Sequence, residues 1–106
     1  MSTKTREPIY LFGAALRAIW DCQAAGGVPA WIDSRGVLNL QELKSHNVDV
    51  ERLLVSQPDT PEQARETVDT LIRSGAVDLI IMDTAGILMH NGAPDHTLAI
   101  LWVGRR

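Results

Sequence analysis

Ala76-Val77-Asp78-Leu79-Ile80-Ile81-Met82-Asp83 is the stretch whose reading decides the fold class. It is a nearly continuous apolar run, the pattern of a strand covered on both faces, where a half-exposed strand would alternate. Working upstream, Thr60-Pro61-Glu62-Gln63 opens a well-signalled helix: Thr60 is a natural N-cap, Pro61 suits the first helical position, and Gln63 completes a capping box. Ala64, Val68, Leu71 and Ile72 share one face of that helix, and Gly75 closes it. Arg52 to Ser56 (RLLVS) precedes it as a strand, so the centre of the chain reads strand–helix–strand. Further out, Ala30 to Asp33 (AWID) is another strand. It follows a helix over Ala14 to Ala25, whose apolar Ala15, Leu16, Ile19, Trp20 and Ala24 recur at helical spacing before Gly26-Gly27 ends it. Asn39 to His46 reads as a short helix with Asn39 as N-cap and Glu42 three residues later. At the two ends, Pro8 to Phe12 (PIYLF) and Thr97 to Val103 (TLAILWV) read as the first and last strands.

Strands alternating with helices predict a parallel α/β layer sheet. The connection from Thr84 to His96 is close to the dozen or so residues that a right-handed parallel crossover needs, so it holds a short helix at most. The chain has 106 residues, 45% of them hydrophobic and 22% charged, which fits one soluble globular domain over 1–106. No apolar run approaches the roughly 18 residues of a membrane helix, and Met1 to Glu7 is too polar for a signal peptide and is expected to be a flexible N-terminus. Cys22 stands alone, so no internal disulfide is possible and a reducing cytoplasm is the expected location. The net charge of −3 leaves no uniformly basic surface, so nucleic acid is not an expected partner.

Leu79 to Asp83 has the form of a Walker B strand, in which a terminal carboxylate orients a magnesium ion or its water shell. A strand-end aspartate that merely caps the next turn fits equally well. A more specific signal lies around it. Leu53 to Ala64 (LLVSQPDTPEQA), Arg73 to Asp78 (RSGAVD), Ala24 to Asp33 (AAGGVPAWID) and Thr97 to Ile100 together resemble the ATPase core of the bacterial RecA recombinases, collinearly over most of the chain. The resemblance implies a three-layer RecA-like fold, akin to P-loop NTPases, with a mostly parallel five-stranded sheet. Its order would be 3-2-4-5-1: Arg52–Ser56, Ala30–Asp33, Leu79–Asp83, Thr97–Val103, then Pro8–Phe12.

The departures from that family bear on function. A Gly-x-x-x-x-Gly-Lys-Thr loop, whose amides and lysine neutralise a triphosphate, is not found in the 106 residues. The expected replacement is a bare strand–Gly13–helix turn. The family's catalytic glutamate falls at Arg35, which accepts no proton at neutral pH. Asn39 and Glu42 replace the family's adenine-contacting aspartate and tyrosine. The family's first DNA-binding loop is expected to be shortened to Thr84–His96, and no counterpart is expected for the second loop, the oligomerisation helix or the carboxy-terminal domain. The expected function is therefore a non-catalytic pseudo-ATPase without cofactor or metal, Gly13 and Asp83 being vestiges. It would act by binding a RecA-type recombinase through Gln57, Asp59, Thr60 and Gln63, which resemble positions near the family's subunit interface, and an apolar patch left where the family has flanking parts would allow it to pair with itself as a dimer. Two alternatives stand beside it: an engineered or relic scaffold with no activity, and weak residual nucleotide binding or hydrolysis through the Walker B-like strand.

Other motifs are weaker. Asp83-Thr84-Ala85-Gly86 spells the DTAG of GTPases, but the missing phosphate loop and the lack of Asn-Lys-x-Asp count against it. His90 and His96, flanking Asp95, fit no common zinc spacing. Cys22 reads as a packed thiol, and Trp20, Trp31 and Trp102 as packing residues. Both outer strands are short, which limits edge-to-edge association.

Overall fold

The computed structural model describes residues 7–83, 89–90, 93–94 and 98–104. A long first helix, α1 (Glu7–Ala24), leads into β1 (Pro29–Ile32), a short α2 (Leu40–Ser45) and a 3-10 turn (Val50–Arg52). Then come β2 (Leu54–Ser56), α3 (Pro61–Ser74), β3 (Leu79–Asp83), the two-residue strands β4 (Met89–His90) and β5 (Ala93–Pro94), and β6 (Leu98–Trp102). The main sheet has four strands in the order β2-β1-β3-β6, and β4 pairs with β5 separately.

Two expectations are corrected. The first concerns Pro8 to Phe12, which is not a strand: it lies inside α1. A five-residue apolar run has no period of its own, and the stripe that follows settles the matter. Phe12 continues the helical spacing of Ala15, Leu16, Ile19 and Cys22, all four of which are buried against the sheet, with Phe12 packed on the same cluster. Pro8 sits in the first turn of α1, where the missing N–H removes no helical bond. The strand–Gly13–helix turn therefore does not exist. Gly13 is exposed inside α1, and a Cβ there would meet nothing within 4 Å.

The second concerns the direction of the last strand. β6 runs antiparallel to β3, with Leu79 opposite Trp102 and Asp83 opposite Leu98, so the sheet is mixed, with two of its three pairings parallel. β1 pairs in parallel with both β2 and β3. An antiparallel return needs no crossover over the sheet face, and the parallel connection expected over Thr84–His96 is replaced by a return that includes the β4–β5 pair. The four strands occupy the first four places of the expected order, and no fifth is found among the described residues.

Helices cover both faces. On one, α1 and α2 bury Leu16, Ile19 and Leu43 against Trp31, Leu79 and Ile81. On the other, Ala64 of α3 packs on Ala30, Ile32, Val77 and Ile80, with Val68 and Leu71 beside it. The near-continuous apolarity of β3 follows from this double cover. α3 begins and ends as its sequence predicts: Thr60 Oγ1 accepts from the Gln63 N–H at 3.1 Å, and Gly75 adopts the left-handed conformation at φ 69°. Pro29 is tolerated in a central strand because β2 begins opposite Ala30, so no bond is lost there. Among the described residues no helix is long and apolar enough to cross a membrane.

Candidate functional site

In parallel strands the carboxyl ends lie together, and here that brings the ends of β1 and β3 to one place. Asp33 and Asp83 stand there, at 1% and 5% exposure, beneath a cavity of about 620 Å³. Its apolar wall comes from Phe12 and Leu16 of α1, Trp31 of β1, Val37 and Leu38 of the following loop, and Leu98 of β6. Phe12 sits at the centre of an aromatic row, 6.4 Å from the Trp31 ring and 6.0 Å from the His46 ring. Asn39, Glu42, His46 and Arg35 supply the polar rim.

Asp33 organises the loop over the cavity. Its Oδ1 accepts the Val37 N–H at 3.1 Å, and its Oδ2 accepts the Leu38 N–H and the Gln57 side-chain amide, each at 3.0 Å. These three donors satisfy a carboxylate that burial would otherwise penalise. The loop closes tightly around it, with the Gly36 N–H donating to the Asp33 carbonyl and Gly36 at φ 67°. Arg35 reaches from this loop to Asp83, Nε to Oδ2 at 3.7 Å.

Among the described residues, the cavity lining does not fit a magnesium nucleotide. The strand-end carboxylate that would orient the metal is opposed by a guanidinium. Gly13 lies inside α1, so its amide belongs to the helix and forms no phosphate-wrapping loop. Among the described residues, three carboxylates, Asp33, Glu42 and Asp83, line the cavity against Arg35 as the one arginine and no lysine, a balance that disfavours a triphosphate. Asn39 caps α2, its Oδ1 accepting the Glu42 N–H at 3.1 Å. Among the described residues no group of three or more His, Cys, Asp or Glu side chains is placed to hold a metal.

The four residues expected at a partner surface cluster where β2 leads into α3, Gln57, Asp59 and Thr60 in the turn and Gln63 in the first turn of α3, and all are exposed. Gln63 Oε1 accepts the Asp59 N–H at 2.8 Å, and Thr60 caps α3. Gln57 links this turn to the cavity floor through Asp33. The hub role of Asp33 has a sequence signal beyond the family resemblance: a strand-end aspartate, like Asp83, followed by a turn glycine. Of the weaker motifs, Cys22 is buried and Trp31 lies in the core. Trp20 is partly exposed and donates its indole N–H to the His46 carbonyl at 2.8 Å. Thr84, Ala85, Gly86, Asp95 and His96 lie outside the described residues, as does the side chain of His90.

Residues 12–97 match the family model of the RecA N-terminal domain. Protein RecA of Mycobacterium ulcerans is 52% identical over 75 residues, which cover 71% of this chain and 22% of that protein. Protein RecA of Acidothermus cellulolyticus is 49% identical, and that of Mycobacterium marinum 51% identical, over the same length and with the same coverage. The chain spans about a fifth of the length of the curated relatives it matches.

Proposed function

The chain belongs to the RecA N-terminal domain family, and from that membership we propose that it is a non-catalytic member, acting by contact with a RecA-type recombinase in recombination or repair. The observation that carries this reading is the ion pair between Arg35 and Asp83. Arg35 stands where the family's water-activating glutamate is expected, and its guanidinium faces the carboxylate that would serve a metal. One substitution thus removes a general base and neutralises a metal ligand. The acidic balance of the cavity and the helical setting of Gly13 support the same reading.

The partner surface in this proposal is the β2–α3 turn with the first turn of α3, where Gln57, Asp59, Thr60 and Gln63 are exposed. Two titrations test the two halves separately. Isothermal titration with Mg-ATP is expected to give no saturable heat, and binding with a Kd near or below about 10 μM, a free energy of about −7 kcal/mol, would overturn the non-catalytic half. Titration of the labelled chain against a RecA filament is expected to saturate and to weaken in Asp59→Arg. No binding at about 50 μM filament would overturn the partner half.

A further inference from the structure

We propose that the protein forms a twofold dimer by pairing β6 with β6 of a second copy, edge to edge and antiparallel. The proposal rests on which backbone groups of β6 are used. The Val103 N–H donates to the Asp78 carbonyl at 2.9 Å, and Leu101 and Ala99 stand opposite Ile80 and Met82. Alternation along an antiparallel pair then turns the N–H and C=O groups of residues 99, 101 and 103 toward β3. Those of Leu98, Ile100 and Trp102 turn outward. β6 is the outermost strand of its sheet, and no described strand lies beyond it.

Natural sheets blunt such an edge with a charge, a proline, a bulge or a very short strand. β6 has none of these. Leu98-Ala99-Ile100-Leu101-Trp102 is five residues long, uncharged and entirely apolar, the composition of an inner strand in an outer position. The other edge, β2, has three residues and follows the charged pair Glu51-Arg52. The outward groups of β6 complement themselves. Around a twofold axis at Ile100, Ile100 faces its own copy and Leu98 faces Trp102 of the second copy. Each outward N–H then meets a C=O, and no charged side chain on the strand opposes its equivalent. Leu98, Ile100 and Trp102 also share one face. Trp102, 52% exposed in the single chain, would be covered by the second copy's Leu98. A twofold contact of this kind is closed, which favours a dimer over a fibre.

Sedimentation equilibrium on the full 106-residue chain tests the assignment, with the dimer expected at twice the chain mass of 11.6 kDa. Trp102→Pro removes an outward N–H without touching a bond to β3, and Trp102→Lys places a charge on the edge. Both are expected to keep the far-ultraviolet circular dichroism of the parent and to raise the dimer dissociation constant at least about tenfold. Trp102→Lys carries the test if the proline variant does not fold. Val55→Pro, at the opposite edge, is expected to leave the dimer intact. A monomer at concentrations up to about 1 mM would overturn the proposal. So would a dimer that survives both folded Trp102 variants or is lost in a folded Val55→Pro, and so would a mass that grows beyond the dimer.

Discussion

Asp33 carries the loop above the cavity on its two oxygens, and its burial makes each of its three donors count. A hydrogen bond to a charged, buried acceptor is worth more than one between neutral groups, because the carboxylate cannot recover water when a donor is lost. Gln57→Ala removes one donor of the three and is expected to lower stability by about 1–2 kcal/mol, read as a lower urea midpoint. Asp33→Ala strands the Val37 and Leu38 N–H groups together with the Gln57 amide, and is expected to cost about 3 kcal/mol. The ordering matters more than either value: equal losses would show that Gln57, and not the loop backbone, holds Asp33 in place. The Arg35–Asp83 pair behaves differently. The Arg35 side chain is 40% exposed, so solvent screens the attraction, and the pair alters the chemistry of the site more than the stability of the fold.

At the scale of elements, α1 offers a direct test of its own extent. Gly13 sits in the helix with open space where a Cβ would go, and glycine is a poor helix interior residue because its unfolded chain is so free. Gly13→Ala is therefore expected to raise stability by about 0.5–1 kcal/mol in thermal unfolding, whereas a strand–glycine–helix turn at that position would lose stability. This element also marks where the sequence stops being legible. α3 can be read from its ends inward, because Thr60, Pro61, Gln63 and Gly75 each act within a turn of their own position. PIYLF cannot, because five apolar residues suit a strand or a helix equally and the choice depends on the tertiary packing of Phe12 against Trp31. The direction of β6 is hidden for a similar reason: LAILW is equally apolar in an inner parallel strand and an outer antiparallel one. In the site, Asp83 and Arg35 are legible separately through the family resemblance. Their pairing, and the reach of Gln57 across 24 positions to Asp33, depend on tertiary contacts that no local spacing encodes.

Across the whole molecule, the two ends of the sheet do different work. The carboxyl ends of β1 and β3 form the cavity, and their amino ends form a seam held by Asp78. Its Oδ2 accepts the Val28 N–H at 2.8 Å, its N–H donates to the Val28 carbonyl at 2.9 Å, and its carbonyl accepts the Val103 N–H at 2.9 Å. One residue thus joins the turn after α1 to the start of β3 and the end of β6. Gly27 is part of the same seam, because a Cβ there would lie 2.8 Å from Asp78 Oδ2 and 3.0 Å from Cys22 Sγ. Asp78→Ala leaves the Val28 N–H without this acceptor and is expected to cost about 1–3 kcal/mol. Gly27→Ala is expected to destabilise as well, since the Asp78 carboxylate must move to admit the methyl group. Because both act through that carboxylate, the double variant is expected to cost less than the sum of the two, by at least about 0.5 kcal/mol. Urea unfolding of the four proteins measures this difference, and strict additivity would mean that Cys22 rather than Asp78 excludes a side chain at Gly27. The seam lies at the opposite end of β1 and β3 from the cavity. Binding by the β2–α3 turn should therefore fall in these variants only as the folded fraction falls.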